Sequence, residues 1–249
     1  MKICLTTYFD NNFEQMGRLC LKSVEEYANK YHFDVKLFND LKSSRPAPWN
    51  KIIIITKLLN PPYDYDFVFW IDSDAIFVRF DKNIMREIKK DKDIYLVKHG
   101  DIPNTGMMLI KNTNFSKSLF KAVWNKEEFI YHKWWENAAL NDLLGYKVKK
   151  QSTLKTIVLA FLYKTRLKNM ATKILKKSKL KQALSKTLDT GRQITKVPSK
   201  WEEKISWLDL KWNNIPGRFE TKKPVINHYP GLDYNERLSK MLGDSKKWH

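Results

Sequence analysis

The sequence predicts an α/β fold, a mixed and mostly parallel sheet flanked by helices, with a basic helical insertion late in the chain. Three observations carry that expectation. Short apolar runs alternate with stretches of helical periodicity through the first 146 residues, as when strands are joined by crossover helices. The run Phe67-Val-Phe-Trp-Ile71 is apolar at every position, as expected of a central strand buried on both sides. Positive charge is concentrated: of a net +19, +15 lies between residues 147 and 200, where 16 Lys or Arg are set against one acid, Asp189. The remaining sequence is only mildly basic.

The elements follow in order. Residues 2–8 are a short apolar run ending in Thr6-Thr7-Tyr8, read as the first strand. Phe13, Met16, Cys20, Val24 and Tyr27 recur every three to four residues, the pattern of an amphipathic helix. Residues 33–38 alternate as a second strand, and Arg45-Pro-Ala-Pro-Trp49 is a loop. A helix then runs through Leu59 and is stopped by Pro61-Pro62. Beyond the central strand, residues 94–98 and 107–111 read as strands, with helices near 115–124 and 135–144. The whole chain, 1–249, reads as one domain interrupted by an insertion at 150–198 and ending in a short tail.

Two cysteines, Cys4 and Cys20, give no disulfide framework and read as small buried hydrophobes. No apolar run approaches the roughly 18 residues of a membrane span. The opening residues also lack the pattern of a secretory leader. The expected location is cytoplasmic.

In open sheets of this kind ligands bind beyond the carboxyl ends of the strands, so the residues after each apolar run matter most. Asp72-Ser73-Asp74 follows the central strand directly. Two carboxylates one residue apart can reach a single site if the chain turns there. Mg²⁺ and Mn²⁺ take hard oxygen ligands and keep positions for phosphate oxygens. A cation held here would neutralise a diphosphate leaving group. Asp-x-Asp also caps turns, and a second pair, Asp64-Tyr-Asp66, precedes the same strand. Its position at the opposite edge of the sheet excludes it as a ligand pair.

Pro61-Pro62 followed by Phe67-Val-Phe-Trp-Ile-Asp-Ser-Asp-Ala-Ile-Phe77 resembles the donor-site strand of GT-A glycosyltransferases, whose fold is Rossmann-like. The likeness is greatest to family 34, the retaining galactosyl-, mannosyl- and xylosyltransferases, with kinship to the glycogenin-like family 8. Further stretches fall in the order that family requires. Trp49-Asn-Lys51 heads the helix before the acidic strand. Asn104-Thr-Gly106 is similar to the family's Asn-Ser-Gly turn beside the donor sugar, and Trp135-Glu-Asn-Ala-Ala-Leu140 to its Asp/Glu-Gln-x-x-Leu helix. Leu208-Asp-Leu-Lys-Trp-Asn213 and Ile226-Asn-His-Tyr-Pro-Gly231 are similar to its closing segment, whose His commonly completes the metal site. The resemblance covers residues 1–146 and 200–235. It departs at Glu136-Asn137, in place of the usual Asp-Gln, and in lacking a Lys-Pro-Trp ending.

The resemblance implies a metal-dependent glycosyltransferase that moves a hexose or pentose from a nucleoside-diphosphate sugar to a glycan or glycolipid acceptor. It implies UDP rather than GDP in the donor, and retention of anomeric configuration through either a front-face route or a covalent intermediate. Cell-surface polysaccharide or glycolipid synthesis is the implied setting. Asp72, Asp74 and His228 are the implied ligands of Mn²⁺ or Mg²⁺. Asn104, Glu136 and Asn137 are implied at the reaction centre, with donor contacts from Thr6, Tyr8, Arg45, Lys51, Ser73, Gly106 and Gly231. The residue types suit these roles. His228 follows the apolar pair Val225-Ile226 and could end a strand beside the metal, where a neutral imidazole favours Mn²⁺ over Mg²⁺. Gly106 would let backbone approach the sugar closely. Arg45 and Lys51 could stabilise the departing diphosphate. A nucleotidyltransferase on a similar sheet, which would share nucleotide and metal binding, is the alternative enzyme, and a non-enzymatic membrane- or nucleic-acid-binding protein driven by the basic segment is the other alternative.

Residues 154–192 read as three thirteen-residue units beginning at Leu154, Leu167 and Leu180, each with a helical apolar stripe. At 3.6 residues per turn one straight helix would rotate successive stripes by about 140°, so breaks between units are expected. A basic amphipathic segment suits an anionic membrane surface, and residues 154–190 are the expected contact. A helical subdomain with a solvated basic face is the plainer alternative. Nucleic acid is disfavoured because only Phe161 and Tyr163 offer stacking surface there.

Overall fold

Phe67–Ile71 is the strand on which the architecture is organised, and all five of its residues are buried. The computed structural model of the chain describes residues 1–39, 41–146, 157–158, 161–162, 165 and 195–246. Its strands are β1 (Ile3–Tyr8), β2 (Asp34–Phe38), β3 (Phe67–Ile71), β4 (Ala75–Phe77), β5 (Ile94–His99), β6 (Ile102–Lys111), β7 (Ile205–Leu208) and β8 (Ile226–His228). Its α-helices are α1 (Glu14–Tyr31), α2 (Asn50–Leu58), α3 (Asn114–Trp124), α4 (Trp135–Leu143) and α5 (Tyr234–Ser245).

Six strands form one sheet in the order β2-β1-β3-β6-β5-β7. β1 lies parallel to β2 and β3, and β5 lies parallel to β7. β6 runs antiparallel to both of its neighbours, β3 and β5. Because side chains alternate across a strand, β3 feeds two cores. Phe67, Phe69 and Ile71 join Met16, Cys20, Val24 and Tyr27 of α1 on one face. Val68 and Trp70 join side chains of α2, α3 and α4 on the other. Cys4 and Cys20 are buried free thiols, as the sequence predicts, and burial pushes both up to about 12.

Two stretches differ from the sequence reading. Asn104-Thr-Gly106 is not a turn but part of β6, which begins at Ile102. The ladder with β5 slips there, from Leu96 opposite Met108 to Val97 opposite Asn104. Thr105, Gly106 and Met107 therefore bulge out of the β5 ladder, while Met107 still pairs with Ile71 of β3. A bulge re-aims the backbone without ending the strand, which residue preferences alone do not reveal. The closing tail is also helical: Asp233 caps α5 by accepting from Glu236 N–H at 3.0 Å, and Met241 is buried in the core shared with α1.

A second, two-stranded sheet pairs β4 with β8, setting Ala75 opposite His228. This small sheet brings the late chain back to the end of β3. The chain on either side of residues 147–194 meets at one place, since Tyr146 bridges Lys196 and Val197 N–H donates to the Gly145 carbonyl at 2.9 Å. The thirteen-residue repeat lies outside the described residues apart from 157–158, 161–162 and 165. Among the described residues no helix is long and apolar enough to cross a membrane.

Phe69 is fully buried and packs edge-on against both Phe77 and Trp212. Phe69→Ala is expected to cost about 3–5 kcal/mol, the range for emptying a buried aromatic site, read as a lowered urea midpoint.

Candidate active site

The chain turns immediately after β3. Asp72 N–H donates to the Gly106 carbonyl at 2.8 Å, and Ala75 N–H donates back to the Asp72 carbonyl at 2.9 Å. The turn leads into β4, and β4 holds β8. Tyr229 N–H, just past β8, donates to the Asp74 carbonyl at 3.0 Å. Asp72, Asp74 and His228 thus meet, with one ligand atom of each lying within 4.8 Å of the others.

The protein has already used half of each carboxylate. Asp72 Oδ1 accepts from the Trp70 indole at 2.6 Å and pairs with Lys51 Nζ at 2.9 Å. Asp74 Oδ2 pairs with Arg237 Nη1 at 2.9 Å. The other oxygens, Asp72 Oδ2 and Asp74 Oδ1, lie 4.0 and 3.2 Å from His228 Nε2. Two carboxylate oxygens and an imidazole nitrogen form a donor set that suits Mn²⁺, and also Mg²⁺ with fewer protein ligands. Burial alone would favour a neutral Asp74, but His228 when protonated, Arg237 and Lys51 outweigh it and hold its carboxyl well below the usual range.

Gly106 explains how His228 fits. A Cβ at Gly106 would lie 2.1 Å from His228 Cε1 and 2.6 Å from Nδ1. The imidazole occupies the space a side chain would take, so the close approach this glycine permits is to a neighbouring ring.

Lys51, on α2, is 5% exposed at its side chain and reaches both Asp72 and Glu136, the latter at 2.8 Å. Its Nζ also donates to the Thr105 carbonyl at 3.1 Å, and Thr105 Oγ1 donates to Glu136 Oε1 at 3.2 Å. Burial opposes the Lys51 charge, yet Asp72 and Glu136 together keep its pKa above the ordinary lysine value. Burial pushes Glu136 upward, with Lys51 opposing and Asp72 adding to the push. Glu136 Oε2 is buried with no hydrogen-bond partner, as is the indole N–H of Trp135 beside it. Trp135 has φ 44, in the left-handed region that a non-glycine residue seldom occupies. Asn137 Oδ1 accepts from Thr105 N–H at 3.1 Å, so the start of α4 is tied to the β6 bulge.

The other expected site residues are more scattered. Asn104 is half-buried, and its Oδ1 accepts from Gly106 N–H at 2.8 Å and from the Asn213 amide at 2.9 Å. Ser73 is half-buried between the two aspartates. Gly231 takes φ 80 in the exposed turn between β8 and α5. Thr6 is fully buried, and its hydroxyl donates to the Lys36 carbonyl within the sheet at 2.8 Å. Tyr8 is half-buried at the strand end. Arg45 is held apart from the acidic cluster: its guanidinium lies 3.8 Å from the Trp124 ring centroid, near Trp49, and donates to the Trp124 carbonyl. Asp64 and Asp66 sit at the start of β3 and engage Lys2. Arg237 and Thr105 were not foreseen. Nothing local marks Arg237, which reaches Asp74 only through the docking of α5.

The chain is similar to known glycosyltransferases in sequence and in fold. An uncharacterised α-1,2-galactosyltransferase of Schizosaccharomyces pombe is 28% identical over 82 residues, which is 31% of this chain but only 22% of that protein's length. A glycosyltransferase involved in glycosylating the major capsid of PBCV-1 superposes with TM-score 0.59 at 13% identity, covering 98% of this chain and 100% of that one. The glycosyltransferase GlyE of Streptococcus pneumoniae gives 0.50 at 12%, covering 98% of this chain and 65% of that one. At such identities the two structures share the fold, the GT-A arrangement of sheet and helices. A family model described as nucleotide-diphospho-sugar transferase matches residues 42–188. That match takes in the acidic turn, the β6 bulge and the head of α4, and with more than half of its length matched the chain belongs to the nucleotide-diphospho-sugar transferase family.

Proposed function

We propose that this protein is a metal-dependent, retaining glycosyltransferase that moves a hexose or pentose from a UDP-sugar to a glycan or glycolipid acceptor. The observation that carries the reading is the convergence of Asp72 Oδ2, Asp74 Oδ1 and His228 Nε2 at the carboxyl end of β3. Mn²⁺ or Mg²⁺ bound by these atoms would supply charge neutralisation for the diphosphate leaving group. Each remaining carboxylate oxygen is held by Lys51 or Arg237, so the ligand atoms need no reorganisation on binding. Glu136 Oε2 and the Trp135 indole N–H, both buried and unpaired, are an acceptor and a donor for sugar hydroxyls near the reacting carbon. Tyr8 is the strand-end residue left to meet the nucleotide base. Retention follows from the resemblance to family 34.

The same reading sets the enzyme at an anionic membrane surface through residues 154–190. Its support is the +15 carried between residues 147 and 200, together with the exposure of Ile157 (60%), Val158 (42%) and Phe161 (62%). Each basic residue near such a surface contributes about 1 kcal/mol.

Three outcomes are expected. In a panel of nucleotide sugars, one UDP-sugar is hydrolysed slowly with Mn²⁺ and not with chelator, and Asp74→Asn loses more than about 10²-fold, beyond the effect usual for an outer partner of a metal ligand. Full activity of Asp74→Asn with metal chelated would defeat the reading. Lys51→Met leaves Glu136 buried beside Asp72 without a counter-charge and lowers stability by about 3–5 kcal/mol in urea unfolding. The protein floats with vesicles containing phosphatidylglycerol but not with phosphatidylcholine alone, and high salt releases it; equal flotation with both would count against the charged contact.

A further inference from the structure

One end of the His228 imidazole faces the acidic pair, and the other ends a chain of side-chain amides that reaches a backbone N–H. The chain starts at Gly106, whose N–H can only donate and lies 2.8 Å from Asn104 Oδ1. That contact fixes which atom of the Asn104 amide is oxygen. Asn213 approaches the same oxygen at 2.9 Å and must present its NH₂ there. Its carbonyl oxygen is therefore the atom turned to His228 Nδ1, also at 2.9 Å. An oxygen at that distance requires a proton on Nδ1. A neutral imidazole carries one proton, so Nε2 is left with its lone pair pointed at Asp74 Oδ1, 3.2 Å away.

A histidine free to choose would do the opposite. A carboxylate at 3.2 Å is a stronger acceptor than an amide oxygen. The proton would sit on Nε2, the imidazole would bond to Asp74, and the nitrogen ligand and one carboxylate oxygen would be closed to a cation. Asn213 is fully buried and cannot yield easily. Its backbone carbonyl accepts from His99 Nε2 at 2.6 Å, and its backbone N–H donates to the Leu210 carbonyl at 3.0 Å. His99 is itself stacked on Phe219, with ring centroids 4.9 Å apart.

We propose that Asn213 is a positioning residue: aligned by Asn104 and the Gly106 N–H, it holds the His228 proton on Nδ1 and keeps Nε2 open to a divalent cation. The inference rests on the metal reading of Asp72, Asp74 and His228, but its first consequence exists without metal. The test uses metal-free protein with ¹⁵N-labelled histidine, taken to alkaline pH until the nitrogen shifts show a singly protonated ring. Nitrogen chemical shifts, assigned through His228→Gln, report which ring nitrogen of His228 is protonated. Calorimetric titration with MnCl₂ reports affinity.

Wild type is expected to show the proton on Nδ1. Asn213→Leu moves it to Nε2 and weakens Mn²⁺ binding by about 10–100-fold, the usual effect of removing a partner that orients a ligand. Should Asn213→Leu fail to fold, Asn104→Ala frees the Asn213 amide to turn without touching His228, and is expected to shift the tautomer in the same direction. Asn104→Asp keeps an oxygen for both donors and restores the wild-type pattern. A wild-type proton on Nε2, or a folded Asn213→Leu that binds Mn²⁺ as wild type does, would overturn the proposal. Wild type with the proton on Nδ1 but no Mn²⁺ binding supports the amide chain and defeats the metal reading instead.

Discussion

Lys51 brings an ammonium almost wholly out of water and sets it between Asp72 and Glu136. Removing such charges from solvent costs several kcal/mol each unless partners replace the lost hydration. Here the partners come from three places far apart in sequence: the end of β3, the bulge of β6 and the head of α4. None of the three can move without exposing a charge to an apolar surround. The ion cluster therefore works as a joint, and the geometry around the acidic turn follows from it. The cations Lys51 and Arg237 each take one oxygen of an aspartate and leave the other. The opposing electrostatic demands on the site are met before any ligand arrives, as preorganised sites require.

The placement of His228 depends on the absence of a side chain. Gly106 has none, and the His228 ring lies in that gap. Because Gly106 also donates to Asn104 and accepts from Asp72 N–H, one glycine sets the spacing between the acidic turn, the imidazole and the amide chain. The β6 bulge is what turns that backbone toward β3.

Much of this was legible in the sequence because the signals are local. The unbroken apolar run of β3 announced a strand buried on both faces, and the two aspartates after it followed from the strand-end rule. His228 could be read because an apolar pair precedes it and a Pro-Gly turn follows. What stayed hidden is set by distance in the chain. Lys51 reads as a cation for the diphosphate, yet in the fold its charge is spent on two carboxylates, one of them 85 residues away. Thr6 reads as a strand-end contact, but sheet order turns its hydroxyl to Lys36 of the neighbouring strand. β4 and β8 have three residues each, too short for an alternation to register. The bulge of β6 was mistaken for a turn because Asn-Thr-Gly carries turn chemistry, and pairing on either side of it, Asn104 with Val97 and Met107 with Ile71, keeps the strand running.

The bridge between Tyr146 and Lys196 has a consequence for how such a protein can diversify. Chain that leaves and re-enters a framework at adjacent points transmits little of its own length to that framework. For a loop closed at one point, doubling the length adds only about 0.6 kcal/mol of closure entropy. The pairing of Tyr146 with Lys196 is in effect a clasp, and a change of length between those two points leaves the ion cluster at the head of α4 as it is. The length between those two points and the chemistry at the ion cluster can then change on separate evolutionary clocks.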